Sequence, residues 1–290
     1  MTTFREERES VKDDEQEMFR RPDPLPVRLP NIPTVPEPWR GSIHVLQSLL
    51  GSGDDNPKLS KSNRAGTGYK TWGLSLAPAK ESGFNLCASS TRGCRAACLY
   101  RQSHGRLFPS IAAARIARAV AFKEHRDWFE RSLVYELGRI TRNADRDGYR
   151  VAVRLNVVSD VMWEREFPAL FWLFRDVQFY DYTKHSKRMF RFLAGELPLN
   201  YSLTYLMSED GTDVRTVLEA GGNVAIVFRG RLPKAWCGFP VIDGDENDLR
   251  FLDPAGVVVG LLAKGSANRD ATGFVVDPVG APARRLKLLC

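Results

Sequence analysis

Cys87-Ala-Ser-Ser-Thr-Arg-Gly-Cys94-Arg-Ala-Ala-Cys98 stands between a strand-like run at 71–77 and a long or broken helical pattern at 109–142. The chain has only five cysteines in 290 residues, and three fall within these twelve positions. An odd number of thiols with three crowded together fits a reducing compartment and a metal or redox role better than a disulfide framework. On a loop that joins a strand to a helix, such thiolates can hold an iron–sulfur cluster at the mouth of an α/β barrel.

Outward from the loop, β-rich and helical patterns alternate. Strands are expected at 150–158, 177–182, 200–207, 224–228, 238–242 and 257–262. Helices are expected at 164–174, 184–193 and 213–220, the last closed by Gly221-Gly222. Short apolar strands separated by helices predict a mostly parallel α/β sheet, either a complete or partial (β/α) barrel or an open doubly wound sheet. In a barrel, the informative residues lie where the strands end. Here those places are the cysteine loop, 156–160, 181–184, 208–210, 229–231 and 243–248.

Residues 41–290 are expected to form one α/β domain. Residues 1–40 run from a charge-dense stretch into one with seven of the chain's seventeen prolines, a composition that predicts a flexible or extended arm. The net charge of +7 is uneven, because residues 1–40 carry nine acidic and seven basic residues, leaving the remainder at +9 by subtraction. Arg92 to Arg118 holds six arginines and no carboxylate, and Lys184, Lys187, Arg188 and Arg191 form a second acid-free run. Either run reads as a solvated helix face or as a surface for an anionic ligand or nucleic acid. No apolar run of about 18 residues occurs, and the first 30 residues hold no apolar signal core. A cytoplasmic chain without membrane contact is therefore expected.

Three ligands on one loop admit two metal readings. Zinc needs a fourth tetrahedral ligand, from His104, Cys237 or Cys290. A [4Fe–4S] cubane accepts three cysteines and leaves one iron for another group, and the looser spacing of six and three residues favours it. Ordinary buried thiols are the bland alternative. Among the other strand ends, Asn156 and Asp160 are candidate mouth residues, or else Ser159 or Asp160 caps the following helix. Tyr182 and Lys184, beside Asp181, suit acid–base work or a phosphate grip, or else a capped and solvated turn. Asp243, Asp245 and Asp248 read as a hard-cation site or as an Asp-rich turn. The aromatic residues Trp163, Phe167, Phe171, Trp172 and Phe174 read as core packing.

The order Asn56-Pro-Lys-Leu59, Ser75-Leu-Ala-Pro78, Ser82-Gly-Phe-Asn-Leu-Cys87, Cys94 and Cys98 resembles the phage gene product 88 proteins. The likeness continues through Arg154-Leu-Asn156, Ser159-Asp160, Trp163-Glu164, Phe179-Tyr-Asp-Tyr-Thr-Lys184 and Val241-Ile-Asp-Gly-Asp245 with Asp248 and Arg250, covering roughly residues 55–275. It implies a phage-encoded protein of the host cytoplasm, with no settled activity. Its cysteine loop also resembles that of radical S-adenosylmethionine barrels, which implies a cluster-bearing barrel with S-adenosylmethionine as companion cofactor. Those enzymes space their cysteines by three and two residues and carry a Gly-Gly-Glu run after the second strand; this chain has neither. S-adenosylmethionine binding is thus left open, with Cys237 as another fourth ligand for the cluster. Three classes remain: an iron–sulfur enzyme acting on an anionic or nucleic-acid substrate, a non-enzymatic binder of nucleic acid or a host factor, and a zinc-stabilised interaction module.

Overall fold

A computed structural model of the chain describes residues 18–56, 59–102 and 108–278. Its centre is a ten-stranded sheet in which seven neighbouring strands run parallel. In spatial order these are β4 (Tyr69–Leu74), β5 (Arg150–Arg154), β6 (Gln178–Thr183), β7 (Tyr201–Leu206), β8 (Val224–Phe228), β11 (Val258–Leu262) and β10 (Phe239–Asp243). Short antiparallel strands border the two ends, β3 (Leu50–Ser52) on β4 and β9 (Ala235–Trp236) on β10. Finally, β12 (Val275–Val276) takes the place beside the end of β8 that β7 has vacated.

The sheet has two differently covered faces. Val151, Val153, Phe179, Val224, Ile226, Phe228 and Val258 belong to the main core, which includes residues of α4 (Pro109–Glu124) and α5 (Arg126–Asp147). Alternate positions on the opposite face, Ala152, Tyr180, Tyr182, Ala225 and Val259, are also buried. Leu249 and Phe251, from the segment after β10, pack against this second face. Burial on both sides explains why the strands read as near-continuous apolar runs.

Hydrogen bonds from that segment show that the sheet is strongly curled. The Lys61 ammonium, on α1 (Ser60–Arg64) just before β4, donates to the Asp245 carbonyl at 2.6 Å, and the Asp248 N–H donates to the Ser62 hydroxyl at 2.9 Å. A flat sheet would hold β4 and β10 six strand spacings, about 29 Å, apart. Asp245 lies two residues past β10, a reach of only about 7 Å. The ends of the sheet must therefore face each other. The backbone ladder nevertheless stays open, since no strand among the described residues pairs β4 with β10. The complete barrel among the expectations is therefore corrected: the fold is mixed α/β with a mostly parallel, curled and unclosed sheet.

Local chemistry explains where the elements stop. Pro109 opens α4, where its missing N–H costs nothing. The pattern at 109–142 breaks at His125, whose φ of −129° and ψ of 55° leave the helical region. Gly148, at φ 71°, closes α5 by donating its N–H to the Ala144 carbonyl. Pro168 splits the helix expected at 164–174 into α6 (Trp163–Glu166) and α7 (Pro168–Leu173), because the residue before a proline is driven to extended backbone. Trp163, Phe167 and Phe171 are core residues as expected, whereas Trp172 is 65 % exposed.

The proline-rich stretch is tied to this core. β1 (Leu25–Arg28) pairs with β2 (Ile43–Leu46), and Val27, Leu29 and Val35 are fully buried. The boundary expected at residue 40 thus falls inside a packed hairpin; residues 1–17 lie outside the described residues.

Candidate functional site

A cavity of about 1340 Å³ opens at the carboxyl ends of the parallel strands, where the curled face meets the cysteine loop. Cys87, Cys94 and Cys98 all line it and are all free thiols. Their loop is held from several sides. Thr91 caps α2 (Arg92–Ala96), which the short α3 (Leu99–Gln102) follows; the Thr91 hydroxyl accepts from the Cys94 N–H, and the Glu209 carboxylate, on the loop after β7, accepts from the Gly93 N–H. Ala97 and Cys94 pack with Phe274, Val275 and Ala267. The Cys87 thiol lies 3.8 Å from the Val158 carbonyl, to which it donates.

Burial pushes the Cys87 thiol up to about 12 and the Cys94 thiol up to about 11. Both are protonated at neutral pH, which disfavours them as free nucleophiles. A metal group binding here would have to displace those protons.

The four other expected mouth residues also line the cavity, each in a different state. Asn156 spends its amide on the loop it begins: Nδ2 donates to the Val161 carbonyl and to Asp181, while Oδ1 accepts from the Val161 N–H and the Ser159 hydroxyl. Asp160 accepts from the Thr183 hydroxyl and from the Lys184 N–H, both at 2.9 Å. The buried Lys184 ammonium donates to the Met207 carbonyl at 2.7 Å. Burial lowers its pKa, against the pull of Cys94, Glu209 and Asp160. Tyr182 is buried under the Arg154 guanidinium, which sits 4.5 Å from its ring centre. Burial drives its phenol to ionise only far above neutrality, so it is no base there.

Cys237 does not join this group. It is disulfide-bonded and is not a cavity residue, which corrects both its expected ligand role and the expected absence of disulfides. His104 and Cys290 lie outside the described residues. Asp243, which ends β10, and Asp245 and Asp248 after it are not one cation site either. Asp245 pairs with the Lys264 ammonium and accepts from the Leu262 N–H, and Asp248 pairs with Arg154. The second basic run is no single solvated face, because Lys184 and Arg188 are buried.

Beneath the mouth lies a buried polar chain of which the sequence signals only part. The Arg188 guanidinium grips Glu164 through Nε and Nη2 and donates to the Tyr201 hydroxyl, which in turn donates to Asp181 at 2.6 Å. Asp181 also accepts from the Asn156 N–H at 2.6 Å, fixing the loop that carries Asp160. Burial raises the Asp181 carboxyl to about 7 against these donors. Between the usual carboxylate pKa and that value the unfolded chain ionises first, so this group's contribution to stability falls as pH rises from about 4 to about 7. In urea titrations at pH 4.5 and 7.5, Asp181→Asn is expected to flatten that decline; an unchanged slope refutes the assignment.

Eight lysine and arginine residues and five carboxylates line the cavity, so its walls favour an anion. Among the described residues, no three His, Cys, Asp or Glu side chains are arranged to hold a single metal ion. A single zinc draws all its sulfurs to about 2.3 Å, whereas a cubane spreads its thiolates over separate irons and needs them farther apart. The three free thiols of the loop, beside the Lys184 ammonium, are soft donors of a kind that either group takes. No helix among the described residues is long and apolar enough to cross a membrane.

A family model described as Gene product 88 matches residues 48–278, taking in the cysteine loop and every strand from β3 to β12. No curated protein and no solved structure matches the chain. The likeness to radical S-adenosylmethionine barrels finds no support in the open ladder or in these comparisons.

Proposed function

The chain belongs to the gene product 88 family, and from that footing we propose that Cys87, Cys94 and Cys98 hold a [4Fe–4S] cluster at the rim of a cavity that takes an anionic ligand. The observation that supports this reading is that three free thiols of one loop line a cavity with a cationic lining. A bound cluster would supply one-electron chemistry and an iron open to an exchangeable ligand. The chain's own residues do the rest. Lys184 offsets thiolate charge beside Cys94, Asp160 fixes the Lys184 backbone, and Asn156 sets the loop between them.

Anaerobic purification followed by iron and sulfide analysis tests the proposal. The expected outcome is a brown protein with about four irons and four sulfides per chain, lost in Cys94→Ser. A protein carrying one zinc and no sulfide would overturn it.

A second reading, a nucleic-acid binder with the cluster as a staple, draws on the same cationic lining. Retention on a DNA column that falls steeply with salt supports it. A protein that ignores polyanions at low salt removes it.

A further inference from the structure

The face that α4 turns to the cavity carries two arginines without a carboxylate partner. Ile111, Ala114, Arg115 and Arg118 all line the cavity, at the i, i+3, i+4 and i+7 spacing of one helical stripe, while Ala113 and Ile116 go into the main core. Both arginines are half-buried. Arg118 donates from Nε to the Ser48 carbonyl at 3.3 Å, and neither of its Nη atoms is enclosed or hydrogen-bonded among the described residues. Arg115 encloses Nη1 without a partner, whereas its Nε and Nη2 are neither enclosed nor hydrogen-bonded among the described residues.

Two guanidiniums three positions apart on a helix repel each other, and partial burial raises the cost. Burial lowers the pKa of each; at Arg118, Glu136 pulls it back up and the Arg115 charge presses it down. Both stay charged at neutral pH. Glu136 forms no ion pair with them, its carboxylate accepting instead from the Leu49 and Leu50 N–H groups at 2.7 and 2.8 Å. Elsewhere in the lining, Arg154 pairs with Asp248 and Lys264 with Asp245.

We propose that Arg115 and Arg118 together form the receptor for the phosphoryl group of a phosphate monoester. Two adjacent cations match a dianion better than they match the single charge of a carboxylate. Ile111 and Ala114, on the same stripe, lie beside them for an apolar remainder of the ligand. The Arg115 Cζ lies 5.6 Å from the Tyr100 ring centre, and Cys98 acts on its charge, so a phosphoryl group held there is a neighbour of the cysteine loop. The inference rests on the reading of the cavity as an anion site and names the class of anion.

Titration calorimetry of the full chain with phenyl phosphate, and with benzoate as its carboxylate counterpart, tests the assignment. The expected result is saturable binding of phenyl phosphate, about tenfold weaker in Arg115→Gln and in Arg118→Gln. Arg115→Lys and Arg118→Lys, which keep the charge but lose the fork, are expected to bind more weakly than the parent as well. Lys70→Gln removes an exposed cation that does not line the cavity, and is expected to leave the affinity unchanged. Because either glutamine relieves a repulsion, the urea midpoint of these variants in phosphate-free buffer is expected to equal or exceed that of the parent. A midpoint that falls in step with affinity makes the pair structural and overturns the proposal. Affinity unchanged in all four arginine variants overturns the Arg115 and Arg118 assignment and leaves the cavity reading standing. Tighter binding of benzoate than of phenyl phosphate overturns the phosphoryl class alone, and no saturable binding of either probe overturns the cavity reading too.

Discussion

Arg188→Met is expected to lower the folding stability of the chain by about 3–5 kcal/mol. The guanidinium is 1 % exposed and serves Glu164, Tyr201 and Asp160 at once. Methionine fills much of its volume but strands the Glu164 carboxylate, whose side chain is only 4 % exposed. Stranding a buried charge, more than losing the attraction itself, sets the magnitude. Arg188→Met combined with Glu164→Leu is therefore expected to recover a good part of the loss in urea unfolding. If the double variant is as weak as the single one, the ion pair is not the cause.

The second large effect falls on the thiols. A Cβ added at Gly93 would meet the Thr272 hydroxyl, the Glu209 carboxylate at 2.6 Å and the Phe274 Cβ at 2.7 Å. Glu209 is also the partner of the Gly93 N–H, so Gly93→Ala pushes α2 off the group that seats it. Overpacking of this kind costs about 1–3 kcal/mol, but the local consequence is greater, because Cys94 and Cys98 move with the helix. Iron retained after anaerobic reconstitution is expected to fall about tenfold, a shift of about 1.4 kcal/mol in binding. A Gly93→Ala protein that loads iron like the parent sinks this account of the loop.

Much of the sheet was legible because its strands are local and apolar. The run at 224–228 coincides with β8, and the alternation of strands and helices pointed to a mostly parallel sheet. Closure was not legible, since it depends on whether β4 and β10 find a common ladder, a pairing between distant residues that no local pattern encodes. The break at His125 carries no proline or glycine to announce it. The arm was misjudged because proline content obscured Val27, Leu29 and Val35, whose burial needs a partner strand from beyond residue 40.

For the candidate site, cysteine spacing pointed to a loop that lines the cavity, and strand-end reasoning pointed to Asp160 and Lys184, which line it too. Arg154 appeared only inside a family motif. Its signal is a buried charge that ends the apolar run 151–153, which single-sequence reading passes over as a strand terminus. Glu209 needed the three-dimensional meeting of two loops, and the Cys237 disulfide needed the same of two thiols.

The bridge between Asp248 and Ser62 joins residues 186 positions apart. During synthesis, the thiol loop, Lys184 and Arg154 all leave the ribosome well before the segment after β10 that latches the curled sheet and supplies Asp248. A nascent chain therefore exposes its cysteines before the pocket behind them has a wall. Completion of the cavity is timed by the last fifth of the chain, and truncation before residue 245 should leave a protein with its three loop cysteines intact and no chamber behind them.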